Sequence, residues 1–229
     1  MEAVRARCAQ FDASVLRAAV FDLDGTLLNT VDDLGTAANM TLRHFGLPEH
    51  PLAAYRNFIG NGLLMLYRRA APAGTDEATV EQLRDYGRDY YRAHCTAFTR
   101  EYPGAGALLR ALAAHGIVLG MVTNKTEATA QRVMAHFFPD VPFRFIWGNN
   151  GVRPLKPAPD AGRMLLAELD LAPEQVAFVG DGDTDMAFAS HVGFWALGAA
   201  WGYRPRAVLA ENGADFLLDS AADLQALLL

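Results

Sequence analysis

"VFDLDGTLLNT", Val20–Thr30, runs from a short apolar stretch into two aspartates one position apart, Asp22 and Asp24, and then into a glycine. Alternate residues of an extended strand share a face, so the two carboxylates converge at the strand's carboxyl end, where open α/β sheets bind ligands. Neighbouring carboxylates repel unless a cation lies between them or one keeps a proton. The stretch reads as a ligand site at a strand tip, with a solvated turn carrying an Asp helix cap as the plain alternative. Gly25 and Thr26 follow, and a tight turn with exposed N–H groups is a cradle for phosphate.

Outward from this stretch, short apolar runs alternate with helical patterns: "RAAVFDL", "GIVLGMVTN", "FRFIWG", "EQVAFVGD", "GFWALGA" and "ADFLLDS". Continuous apolar strands separated by helices predict an α/β fold with a parallel sheet covered on both faces. The alternation stops between Thr30 and Tyr102. There, Leu34, Ala37, Ala38, Thr41, Leu42 and Phe45 follow a helical stripe, "EQLRDYGRDYYRAHC" carries another, and no strand is expected. The predicted organisation is an α/β core of residues 1–30 and 103–229 with an all-helical insert over 31–102. The stretch before Ala18 carries no motif; an extra helix and a disordered tail are both open readings of it.

Three further strand ends carry polar chemistry. "GIVLGMVTNK" ends on Thr123, Asn124 and Lys125, whose hydroxyl could donate to a phosphoryl oxygen or simply cap the next helix. In "LKPAPD", Lys156 precedes prolines that stiffen the loop and delay the next helix to about Ala158 or Pro159. "VAFVGDGDTDM" presents Asp181, Asp183 and Asp185; counted as a calcium loop it places Met186 at position six and Val192 at position twelve, which excludes an EF-hand. Hard oxygen ligands for Mg²⁺ at a strand tip are the better reading, beside that of a charged helix N-terminus.

A formal charge of −6 with no Lys/Arg cluster argues against nucleic acid as a partner. Cys8 and Cys95 lack metal-site or disulfide-framework spacing, which suits a reducing compartment. The N-terminal residues lack the apolar core of a secretory signal and "VGFWALGAAWG" is too short to cross a bilayer, so a cytoplasmic protein without a membrane partner is expected. The six histidines have no paired ligand spacing, and Trp195 and Trp201 read as core or oligomer contacts.

Taken in order, "DLDGT", "VTN", "KPAP" and "GDGDTD" resemble the four motifs of the haloacid dehalogenase superfamily, in its Mg²⁺-dependent phosphatase branch, over essentially the whole chain from Ala18. The resemblance implies a Rossmann-like three-layer core, with the helical insert as a C1 cap. It implies Asp22 as the nucleophile that forms an aspartyl-phosphate and Asp24 as the acid and then the base. Thr123 would hydrogen-bond the transferring group, and Lys156 would balance its charge and orient Asp22. Mg²⁺ would be held by Asp22, the Asp24 backbone carbonyl, Asp181 and waters, with Asp185 in direct or indirect contact. Asp183 is read as a loop acid. Asn29 stands where family members often carry an acidic residue, and "WGYRP", residues 201–205, resembles the family's sequence after the fifth strand and is given no separate role.

Within the insert, "NFIGNGLLMLYRRA", Asn57–Ala70, resembles the cap segment of phosphoglycolate phosphatases, as does the "TNK" of the second motif. The substrate-binding set implied is Gly25, Thr26, Asn124, Gly60, Asn61, Gly62, Arg56 and Arg68, with Arg56, Arg68 or Arg69 offering a fork for a carboxylate. The expected activity is hydrolysis of a small phosphorylated metabolite, 2-phosphoglycolate first, by a monomer or homodimer. Alternatives are a phosphatase of broad or other specificity (pyrophosphate, sugar phosphate, nucleotide), a mutase resembling β-phosphoglucomutase, and, outside enzymes, a receiver-like phospho-accepting module.

Overall fold

The computed structural model describes residues 7–229. Its strands are β1 (Ala18–Phe21), β2 (Leu28–Asn29), β3 (Arg100–Glu101), β4 (Val118–Thr126), β5 (Phe143–Asn149), β6 (Val176–Gly180), β7 (Trp195–Ala199) and β8 (Phe216–Leu218). Six of them form one parallel sheet in the order β5-β4-β1-β6-β7-β8. The α-helices are α1 (Val31–His44), α2 (Gly62–Ala70), α3 (Glu77–His94), α4 (Ala105–Ala114), α5 (Glu127–Phe137), α6 (Asp160–Leu169), α7 (Asp183–Val192), α8 (Arg206–Glu211) and α9 (Ala221–Leu228).

The two-residue period of β1 divides the interior. Ala19 and Phe21 face a cluster with Leu108, Leu112, Val133 and Leu224, from α4, α5 and α9. Ala18 and Val20 face the opposite cluster with Leu165, Phe188 and Leu209, from α6, α7 and α8. A strand buried on both faces has no polar positions to alternate, which is why it reads as an unbroken apolar run. Phe21 and Phe178, fully buried on opposite faces, each contribute about 1.5–3 kcal/mol of transfer free energy. Register then aligns the strand ends: Phe21 pairs with Met121 on one side and Val179 on the other, so Asp22, Thr123 and Asp181 emerge at nearly the same level.

Just beyond β1, β2 pairs antiparallel with β3, Leu28 opposite Glu101 and Asn29 opposite Arg100. This ribbon carries the chain out to α1–α3 and back. The strand at Arg100–Glu101 corrects the expectation of an insert without strands; two charged, exposed residues give no apolar alternation to detect. The α1 stripe is buried from Leu34 to Leu42, with Phe45 packed against it. Asp33 accepts from the N–H groups of Phe98 and Thr99 and from the Thr99 hydroxyl, which ties the first turn of α1 to the returning chain. Asp76 caps α3 by accepting from Thr79 N–H at 2.9 Å.

Of the N-terminal stretch, the first six residues lie outside the described residues. Beyond them, the Arg7 guanidinium donates to the carbonyls of Gly193 and Phe194, and the Phe11 ring meets Trp195 and Phe216 edge-on. Cys8 and Cys95 are free thiols.

Candidate active site

The sheet's carboxyl edge gathers the polar residues of four separate segments. At the tip of β1, Asp22 N–H donates to Val179 at 2.9 Å, and the chain turns so that the N–H groups of Thr26, Leu27 and Leu28 all reach the Leu23 carbonyl. Gly25 sits in this turn at φ +89°, and a Cβ there would stand 2.2 Å from Asp181 Oδ2. Only glycine satisfies both the dihedral and the approach.

Asp22, Asp181 and Asp185 are buried, with one carboxylate oxygen from each lying within 4.8 Å of the others. The Lys156 ammonium enters this acidic cluster, 2.6 Å from Asp185 Oδ1 and 2.9 Å from Asp22 Oδ1. Asp181 accepts from the Thr26 hydroxyl at 3.2 Å and from Tyr203 N–H at 2.7 Å, and Asp185 accepts from Gly182 N–H. Burial, reinforced by Asp185 and Asp22, pushes the Asp181 carboxyl well above the usual carboxylate range. Burial also raises Asp185, to about 6, against the opposing pull of Lys156. Burial disfavours the charge on Lys156, but Asp185 and Asp22 more than offset it and the ammonium titrates above its ordinary value.

Two of the three carboxylates, Asp22 and Asp185, thus share one buried ammonium, while Asp181 is held by Thr26 and Tyr203. Asp22 Oδ1 is buried without a hydrogen bond; it meets Lys156 as an ion pair whose angles do not make one. Hard oxygens with unmet charge suit a divalent cation, and the residues present fit one.

Asp24 is held differently. The Lys125 ammonium donates to both of its oxygens, at 2.6 and 2.8 Å, and the Thr30 hydroxyl donates to Oδ1 at 2.6 Å. Lys125 lies in the last residues of β4, where the pairing with β5 shifts register between Val122 and Thr126 and residues 123–126 all line the pocket. No role for this lysine was expected from sequence, although an ammonium two residues beyond a strand-end threonine was a usable signal.

The segment 201–204 also does more than its sequence suggested. Trp201 Nε1–H donates to the Thr26 carbonyl, Tyr203 N–H to Asp181, and the Tyr203 hydroxyl accepts from Thr30 N–H at 2.8 Å. Arg204 donates to the carbonyls of Arg56 and Ile59. One strap therefore links the acidic cluster, the turn after β1, the start of α1 and the loop before α2.

Thr123 and Asn124 lie at the tip of β4, and Thr123 lines the pocket above Asp22. Asn124 is occupied by the chain itself: Oδ1 accepts from Lys156 N–H, and Nδ2 donates to the carbonyls of Lys156 and Gly60. The amide positions loops, and Asn124 also lines the pocket. Gly60 and Gly62 line the pocket at φ +120° and +81°. Asn61 turns outward and accepts from Arg69, which also donates to Phe58.

The arginines read as carboxylate binders do not line the pocket. Arg68 pairs with Glu77 on an exposed face and Arg56 is exposed on the short helix Leu52–Asn57, because both follow the helical stripe away from the core. The arginine beside the acidic cluster is Arg204. Asp183 is half-exposed at the start of α7, 3.8 Å from Arg204.

Residues 19–199 match the family model described as haloacid dehalogenase-like hydrolase. The chain belongs to that family. Among curated relatives of this hydrolase, the phosphoglycolate phosphatase of Mannheimia succiniciproducens is 34% identical over 212 residues, 89% of this chain and 94% of the relative. The crystal structure of a predicted phosphoglycolate phosphatase from Haemophilus somnus superposes with a TM-score of 0.85 at 29% identity, covering 93% of this chain and 97% of that one. CbbY from Rhodobacter sphaeroides, solved in complex with phosphate, gives a TM-score of 0.75 at 25% identity over 91% and 96% of the two chains. Among the described residues, no helix of the hydrolase is long and apolar enough to cross a membrane.

Proposed function

We propose that this hydrolase is a Mg²⁺-dependent phosphatase acting on 2-phosphoglycolate in the cytoplasm. The observation that carries the reading is the meeting, at one sheet edge, of a buried carboxylate cluster, two of whose members pair with Lys156, and a separately held acid at Asp24. The names of the relatives support the substrate, and the pocket that holds Asp22 and Asp24 lies between that edge and the insert. The segment 31–102 acts as the cap over it.

In this account Asp22 attacks phosphorus, forming an aspartyl-phosphate as the bond to the leaving oxygen breaks. Asp24 donates a proton to that oxygen and, as a carboxylate, then takes one from the water that attacks the phosphoryl group and frees Asp22. Thr123 donates to a phosphoryl oxygen, and Lys156 holds Asp22 in place while balancing the charge that develops. Asp22, the Asp24 carbonyl, Asp181 and Asp185 would hold Mg²⁺, which when bound supplies positive charge between the anionic nucleophile and the phosphate.

The test is turnover of 2-phosphoglycolate against a panel of phosphate esters, with and without Mg²⁺. The account expects metal-dependent release of phosphate, with 2-phosphoglycolate among the best substrates. A broad panel hydrolysed with 2-phosphoglycolate near the bottom would refute the substrate.

A further inference from the structure

The pocket above Asp22 and Asp24 has a lining that includes polar side chains outside the acidic cluster. Apart from the strand tips and the glycines of the cap loop, it is lined by Leu34, Ile59, Leu63 and Leu66. Lys125 is the one cation among its described lining residues, and Tyr91, from α3, supplies a phenol beside it. The ammonium lies 4.7 Å from the centroid of the Tyr91 ring, so the two side chains form one unit where core and insert meet.

Two features of that unit lack a use within the protein. The Tyr91 hydroxyl is buried and has no hydrogen-bond partner. A buried hydroxyl left unpaired costs about 1–3 kcal/mol, and phenylalanine would give the same ring packing without that cost. Lys125 has three donors, and its hydrogen bonds within the described residues go to the two oxygens of Asp24. A donor therefore remains on each side chain, both in a mostly apolar pocket where a charge-assisted bond is strong.

We infer that Lys125 and Tyr91 form the subsite for a second anionic group of the substrate, a carboxylate one or two carbons from the phosphate ester. The proposal rests on the reading of Asp22 and Asp24 as the phosphoryl-transfer end of the same pocket. It assigns to these residues the recognition that Arg56 and Arg68, turned to solvent, do not provide. The leucines and Ile59 exclude water from the contact and leave little room for a bulky leaving group. An ester whose carboxylate is replaced by a hydroxymethyl group would leave the ammonium proton without an anionic acceptor and lose affinity.

The test uses two matched pairs of esters: 2-phosphoglycolate with 2-hydroxyethyl phosphate, and 3-phosphoglycerate with glycerol 3-phosphate. For the wild-type protein, kcat/KM favours the carboxylate member of at least one pair. In Tyr91→Phe that preference falls about tenfold or more, the size of one hydrogen bond to a charged group, and it does so through KM for the carboxylate member. Lys125→Met moves the preference in the same direction. A merely structural role for Tyr91 would lower both members of a pair together; an unmoved ratio overturns the proposal, as does a wild-type protein with no carboxylate preference in either pair. A preference confined to the 3-phosphoglycerate pair and erased in Tyr91→Phe upholds the subsite and refutes 2-phosphoglycolate. Absence of turnover with all four esters overturns both.

Discussion

Lys156→Met isolates the physical core of the site. The side chain is 2% exposed and, among the described residues, is the only cation within ion-pairing distance of Asp22 and Asp185, at 2.9 and 2.6 Å. Methionine preserves most of the length and volume, so the substitution removes charge with little cavity. Removing one partner of a buried pair costs about 3–5 kcal/mol, because the carboxylates left behind are neither hydrated nor neutralised. With a urea slope of about 2 kcal/mol/M, the unfolding midpoint of the metal-free protein at neutral pH should fall by about 1.5–2.5 M. Adding Asp185→Asn to Lys156→Met removes one uncompensated charge and should recover part of the loss, so the two substitutions together should cost less than their sum, by about 1–3 kcal/mol. The assay is a four-member set of urea titrations in chelator, followed by fluorescence and circular dichroism. A midpoint within about 0.5 M of wild type for Lys156→Met, or strict additivity in the set, would refute the reasoning.

Asp181 and Asp185 bind protons more tightly in the folded state than at the unfolded value of 3.8, so between about pH 4 and pH 6 the folded protein holds protons that the unfolded chain has released. Stability of the metal-free protein should therefore fall as pH rises through that window, by about 3 kcal/mol for Asp185 alone; thermal midpoints of wild type minus those of Asp181→Asn/Asp185→Asn should show this slope, and a flat or rising difference contradicts it. Gly25→Ala drives a Cβ to 2.2 Å from the Asp181 carboxylate at a dihedral unfavourable to alanine, and should abolish most turnover; activity within twofold of wild type would show that the turn relaxes freely. Arg68→Ala removes an exposed pair with Glu77, and should change KM less than twofold and stability by less than about 1 kcal/mol; a tenfold rise in KM would place Arg68 at the substrate.

The parts legible in the sequence are those where one physical constraint dominates. The strands at the centre of the sheet, β1, β4 and β6, are buried enough to appear as apolar runs, and the chemistry follows at their carboxyl ends, as with Asp22 after Phe21 and Asp181 after Gly180. The buried stripe from Leu34 to Leu42 identifies α1 for the same reason. What escaped depends on contacts between distant segments. Arg204 resembles any surface arginine until the fold brings it to the Ile59 carbonyl, 145 residues away. Tyr203 appears as a loop aromatic, yet its N–H holds Asp181 and its hydroxyl holds Thr30. Arg68 lies close in sequence to Gly60 and Gly62, but the helix starting at Gly62 turns it toward Glu77, and helical phase rather than proximity decides which residues face a ligand.

The central claim is that Asp22 is the atom-bearing nucleophile, and borohydride trapping tests it most directly, since reduction of an acyl phosphate on aspartate leaves homoserine at the modified position. With protein quenched during turnover of 2-phosphoglycolate and mapped by peptide mass, the account predicts homoserine at residue 22 and at no other aspartate. Conversion at Asp24, Asp181 or Asp185, or rapid turnover with no conversion anywhere, would contradict it.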